Sequence, residues 1–175
     1  MILLLISMGG HQMLTQQTLK EYLHYDPETG VFTWIKKSAK HTKIGSVAGT
    51  NLRGYIRIYL FGKGYYAHTL AVLYMDGYLP ECVDHKNHVT LDNRWINLRA
   101  CTLSENQCNR LLNKNNKSGV KGVYYKKQYG KWSTQITFKK RVYFFGNYDT
   151  IAEAAEVVNR ERQRLHREFA NKGDE

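Results

Sequence analysis

Three cysteines and two prolines are all that 175 residues contain. Cys82, Cys101 and Cys108 form no C-x-x-C pair, which excludes a disulfide framework and a cysteine-rich zinc site and fits a reducing cytoplasm. Acidic residues are scarce too: 15 against 26 lysines and arginines, for a formal net charge of +11 and a pI near 9.6. Long apolar runs are missing. The opening MILLLISMGG lacks a basic leader and is too short to span a bilayer, so neither export nor a membrane partner is expected. Met8 and Met13 are alternative starts.

What is present is a chain for one ordinary domain or two small ones, with 42% apolar and 13% aromatic residues, enough for packed cores. The basic residues are concentrated. Val31 to Met75 holds Lys36, Lys37, Lys40, Lys43, Arg53, Arg57 and Lys63 without a carboxylate, and Ser118 to Arg141 repeats the pattern. Acid-free stretches rich in Tyr, Trp and Phe suit phosphates and base or sugar faces better than a lipid surface. Two solvated sheet faces are the plainer reading.

The periodicity predicts an α+β chain. A helix is expected over Leu14 to Tyr25 behind Thr15, with turn chemistry at Asp26 to Gly30. Strands follow at Val31 to Ile35, Ser46 to Ala48, Tyr55 to Phe61 and Tyr65 to Tyr66, punctuated by glycines. His68 to Tyr74 reads as a short helix stopped by Gly77 and Pro80. Beyond Val83 the pattern turns polar, with a short helix starting within Asn93 to Leu98 and another segment at Thr102 to Asn109. The polar stretch 111–117 reads as a linker. Three strands, at Val120 to Tyr125, Trp132 to Phe138 and Arg141 to Phe145, then precede a helix capped by Asp149 or Thr150 and running to about Phe169.

Val83 to Arg110 concentrates Asp84, His85, Asn93, Asn97 and Asn106. A carboxylate and an amide oxygen can hold a hard divalent cation, while an adjacent imidazole takes a proton from water. Taken singly, an Asp-His pair is more often a turn with a surface histidine.

Asp84-His85, then Asn93-Arg94-Trp95-Ile96-Asn97-Leu98, then Ser104-Glu105-Asn106, resemble the HNH nucleases, particularly the free-standing homing-endonuclease branch whose motif ends in asparagine. The likeness extends upstream through His24 to Trp34 and the stretch around His68. It implies a ββα-metal site in which Asp84 and Asn106 ligate one Mg²⁺ or Mn²⁺ per active site, His85 is the general base and Asn97 orients the loop carrying His85. His68 would be a supporting or phosphate-binding residue, or else a core histidine. Asn93 is a further site residue or a helix cap, and Arg94 and Arg99 either stabilise charge on the phosphate or are solvated.

Ser118 to Ala170 resembles the AP2 DNA-binding domain through Gly119-Val120-Lys121-Gly122-Val123, Gly130-Lys131-Trp132, Phe145 to Thr150, and Ala152-Glu153-Ala154-Ala155 leading to Glu168-Phe169-Ala170-Asn171. The resemblance implies a three-stranded sheet packed on one helix. It places Lys121, Tyr124, Lys126, Trp132 and Gln135 against duplex DNA in the major groove, with Lys139, Lys140 and Arg141 on phosphates. Trp132, Phe144, Phe145 and Tyr148 have the alternative role of pinning sheet to helix.

The expectation is therefore an HNH nuclease domain with a β-rich N-terminal extension over 14–110, a linker at 111–117 and an AP2-like module over 118–171. It would act on double-stranded DNA one strand at a time, as a monomer, or as a dimer for double-strand cleavage. A non-catalytic DNA-binding regulator and an RNA-binding or RNA-processing protein are the competing readings.

Overall fold

The computed structural model describes residues 14–171 and 173. The opening MILLLISMGG and the alternative starts Met8 and Met13 lie outside them. The chain divides into two compact units, Met1–Leu79 and Pro80–Glu175. No helix among the described residues is long and apolar enough to cross a membrane.

In the first unit, helix α1 (Gln16–Tyr22) is capped by Thr15, whose hydroxyl accepts from the Thr18 amide. It is shorter than its periodicity predicts. From Leu23 the chain goes extended as β1 (Leu23–Asp26), pairing with β2 (Val31–Trp34) around a turn in which Gly30 donates to the Asp26 carbonyl. Tertiary pairing overrides helix propensity here, because alternation in β1 buries Leu23 and Tyr25 on one face. Strands β3 (Thr50–Leu52), β4 (Tyr55–Leu60) and β5 (Lys63–Tyr66) form a three-stranded antiparallel sheet, followed by α2 (Ala67–Asp76). The strand expected at Ser46 to Ala48 is only a single bridge, Thr33 to Val47. Gly49 explains why the strand starts later: its φ is +97°, and a Cβ there would lie 2.7 Å from Ile56, so the chain must bend before it can pair. The core holds Leu19, Tyr25, Phe32, Ile58, Leu60, Leu70 and Val72.

In the second unit, β6 (Cys82–His85) pairs antiparallel with β7 (Leu98–Cys101), and α3 (Leu103–Cys108) follows. Thr102 and Glu105 close a capping box at the start of α3. The next sheet has β8 (Val123–Lys126), β9 (Lys131–Phe138) and β10 (Arg141–Tyr148) in the order β10-β9-β8. Helix α4 (Ile151–His166) packs against it behind a second capping box, Thr150 with Glu153. Val123, Ile136, Ala154 and Val158 form the core between sheet and helix, with Trp132, Phe145 and Tyr148 packed around it. A 3-10 turn over Arg167–Phe169 ends the helical run. The arrangement is mixed helix and sheet with small antiparallel sheets.

His166, on the last turn of α4, is 6% exposed. Burial, then the cations of Arg162 and Lys121, push its imidazole down from 6.5 to about 4. A histidine depressed by folding contributes stability that is complete above its unfolded value of 6.5 and is lost as pH falls toward 4. Urea denaturation in phosphate-free buffer is therefore expected to show a loss of up to about 3 kcal/mol between pH 7 and pH 4. His166→Gln should flatten that part of the profile.

Candidate active site

A two-stranded ribbon and the helix after it converge on one buried carboxylate. On β6, Cys82 and Asp84 share a face, as residues two apart in a strand must. On α3, Asn106 and its C-cap Asn109 share a face at helical spacing. The two faces meet. The Asn109 side chain donates Nδ2 to both Asp84 oxygens at 2.9 Å, and Asn106 donates Nδ2 to the Cys82 thiol sulfur at 3.1 Å. Asp84, 5% exposed, also accepts from Arg99, its cross-strand partner. The guanidinium Nε and Nη2 lie 2.7 and 2.6 Å from Oδ2. The asparagine that reaches Asp84 is thus Asn109, three residues beyond the one the motif nominates.

His85 follows Asp84 and faces the loop that joins β6 to β7. Its Nε2 lies 3.3 Å from the Asn93 side-chain oxygen, and both residues are buried. Burial lowers the imidazole pKa, opposed by the Asn93 hydrogen bond and by the charges of Asp84 and Asp92, so the ring is neutral at neutral pH. Asn97 clips the loop from both sides. Its Nδ2 donates to the Asp92 carbonyl at 2.7 Å, its oxygen accepts the Asn87 amide at 3.0 Å, and its own carbonyl accepts the Lys86 amide at 2.9 Å. Arg94 is bound to Asp92 at 2.6 Å on the exposed side of the same loop.

Sequence reasoning missed the C-terminal contribution. Arg99 donates Nη1 to the Glu168 carbonyl and lies 4.0 Å over the Phe169 ring. Asn171 donates to the Asn109 oxygen at 3.4 Å, and its Nδ2 lies 2.8 Å from His88 Nε2. No local pattern announces contacts spanning 69 residues. Asn109 sits three residues beyond the motif asparagine, and only the packing of α3 on β6 brings it to Asp84. His68 belongs to the first unit, where its buried ring stacks on Tyr66 at 5.3 Å.

The residues placed against DNA divide by face. Tyr124, Lys126 and Gln135 lie on the side of the sheet away from α4, with the Tyr124 hydroxyl 3.4 Å from Gln135. Trp132 takes the other parity and packs toward α4. Lys121 precedes β8 and turns its ammonium onto the carbonyls of Cys108, at 2.9 Å, and Arg110. Lys139 and Lys140 form the β9–β10 turn, both with positive φ, and Arg141 opens β10.

Residues 65–108 match the family model of HNH endonucleases, a span that runs from β5 through α2 and the β6–β7 ribbon to α3. The chain carries an HNH endonuclease domain. It is also 31% identical over 88 residues to Protein 3.8 of Escherichia phage T7, covering 50% of this chain and 72% of that protein, and it belongs to the same family. No solved structure matches it. The HNH match suggests a nuclease, and the motif residues 84, 85, 97 and 106 all fall inside it.

The buried pair at Asp84 differs in weight from the exposed pair at Asp92. Arg99→Ala strands a buried carboxylate and is expected to cost about 3–5 kcal/mol in urea unfolding. Arg94→Ala, removing a half-exposed partner, should leave the midpoint nearly unchanged.

Proposed function

We propose that the protein is a metal-dependent DNA endonuclease that hydrolyses one strand per centre. The observation that carries this reading is a buried carboxylate flanked by amides from α3, next in sequence to a buried neutral imidazole, all within the HNH match. The donor chemistry fits a hard cation, because Asp84, Asn106 and Asn109 offer oxygens only. Oxygen donors of this kind suit Mg²⁺ or Mn²⁺ rather than zinc, although among the described residues no group of three or more His, Cys, Asp or Glu side chains is placed to bind a metal. Asp84 would hold the ion with Asn106, as the motif implies, or with Asn109, whose amide would turn its oxygen toward Asp84. When bound, such an ion polarises the phosphate and neutralises charge on the leaving oxygen.

The chain's own residues supply the rest. His85, held by Asn93, accepts the proton of the attacking water through a neutral ring nitrogen. Asn97 keeps the loop behind His85 in one shape, and Arg94 braces the same loop through Asp92. Arg99 pairs with the buried Asp84 and brings a cation beside the reacting phosphate. His68 is assigned a supporting or phosphate-contacting role in the first unit.

The division of labour follows the chain: nuclease functions over 14–110, a connection at 111–117 and an AP2-like, duplex-reading module over 118–171. Tyr124, Lys126 and Gln135 on the open sheet face, with Phe144 54% exposed beside them, support major-groove contact. Lys121 and Trp132 would act by supporting that face. Lys139, Lys140 and Arg141 at the hairpin would take backbone phosphates. Because Arg99 and Asn109 already satisfy Asp84, a non-catalytic DNA-binding regulator is the second reading.

Incubation of supercoiled plasmid with the protein and Mg²⁺ or Mn²⁺ is expected to give nicked circles, blocked by EDTA and reduced by about 10²–10⁴-fold in His85→Ala. Uncut plasmid under every metal condition, with duplex binding intact, would establish the regulator instead. Replacing Lys139, Lys140 and Arg141 together by alanine should weaken duplex binding and lower the salt dependence by roughly one unit per lost phosphate contact. An unchanged slope removes the hairpin from the interface.

A further inference from the structure

Beside the Asp84 centre, the end of α3, the approach to β8 and the end of α4 enclose a cleft of about 530 Å³. Arg110, Lys121, Tyr124, Gln135, Arg162 and His166 are among its lining residues, and no aspartate or glutamate lines it. His166 is more than nine-tenths buried, yet neither ring nitrogen has a hydrogen-bond partner among the described residues. Leaving a buried donor and acceptor unmet is costly, and such groups usually mark a bound ion, water or ligand. Among the described residues the charges acting on the ring are the cations of Arg162, from its own helix, and Lys121, from the approach to β8, and the Phe138 ring of β9 lies 5.5 Å away.

Lys121 sharpens the point. Its ammonium is held by two backbone carbonyls and pairs with no carboxylate among the described residues. An oxyanion in this cleft would accept from the imidazole N–H and from the remaining ammonium proton, relieving the repulsion that the cations impose on His166. The cleft has room beyond a phosphate for an attached sugar and base beside Tyr124 and Gln135.

We propose that this cleft is a second site, distinct from the Asp84 centre, which binds the phosphate of a nucleotide unit through His166 and Lys121. The choice of a nucleotide rests on the nuclease reading, whereas the phosphate site does not.

The test is NMR observation of the His166 imidazole in the full chain during titration with inorganic phosphate, a 5′-deoxynucleotide and a short duplex. The expected result is a saturable change in which the titration of His166, near 4 without ligand, moves up by one pH unit or more. The nucleotide should bind more tightly than inorganic phosphate. His166→Gln, checked for folding by circular dichroism, should lose at least tenfold in phosphate affinity, and Lys121→Met should weaken binding in the same direction. His85→Ala, which disables the proposed cleavage centre while keeping the Asp84 carboxylate that Arg99 and Asn109 hold, should leave phosphate binding intact, so failure of the nuclease reading is recorded separately. His166 signals unmoved by all three ligands, or equal phosphate affinity in folded His166→Gln, would overturn the site. Equal affinity for inorganic phosphate and nucleotide would overturn the nucleotide assignment.

Discussion

A single buried negative charge sets the terms for the second unit. Withdrawing a carboxylate from water is tolerated only if fixed donors replace the lost hydration, and Asp84 collects them from two sides: Arg99 across the ribbon, and Asn109 at the end of α3, whose Nδ2 reaches both oxygens. Each donor is tied down in turn. Arg99 reaches the Glu168 carbonyl and the Phe169 ring, Asn109 meets Asn171, and Lys121 grips the carbonyls on either side of Asn109. The ribbon, α3 and the segment after α4 are thereby linked through polar groups as well as through the small cluster of Cys101, Cys108 and Phe169.

This explains which parts were legible in the sequence. Where burial is apolar and periodic the reading succeeds: α2 ends at Gly77 in a left-handed conformation, α4 starts at the Thr150 cap, and β8, β9 and β10 lie close to their expected positions. Periodicity does not mark strands β6 and β7, which only the resemblance to a ββα-metal site implies, because their inward positions carry Asp84, Arg99 and thiols in place of the usual apolar alternation. Residue types and spacing pointed to the site nonetheless. Choosing between Asn106 and Asn109 needs the register of α3 against β6, which one chain's sequence does not contain. Trp132 shows the reverse case: its neighbours resemble a DNA-reading sheet, while strand parity turns the ring toward α4.

The basic residues likewise separate by environment rather than by number. In the first unit Arg57 lies within cation–π range of Tyr59 and Tyr66, and in the second Lys126 lies near Tyr129 and Phe144. Such arrangements present charge on aromatic supports and suit polyanion contact. Lys121 and Arg162 sit inside the fold and hold backbone carbonyls. A net charge of +11 therefore combines groups exposed to a partner with groups that maintain the interior.

The contact between Arg99 and the turn at Glu168 and Phe169 joins positions 69 residues apart. An excised peptide containing every HNH motif residue would lack the carbonyl and the ring that support its own arginine. The matched segment is consequently not a portable cassette: grafted onto another scaffold it would need a substitute strap. During synthesis, too, the ribbon must wait for the turn after α4 to emerge before its charge network can close.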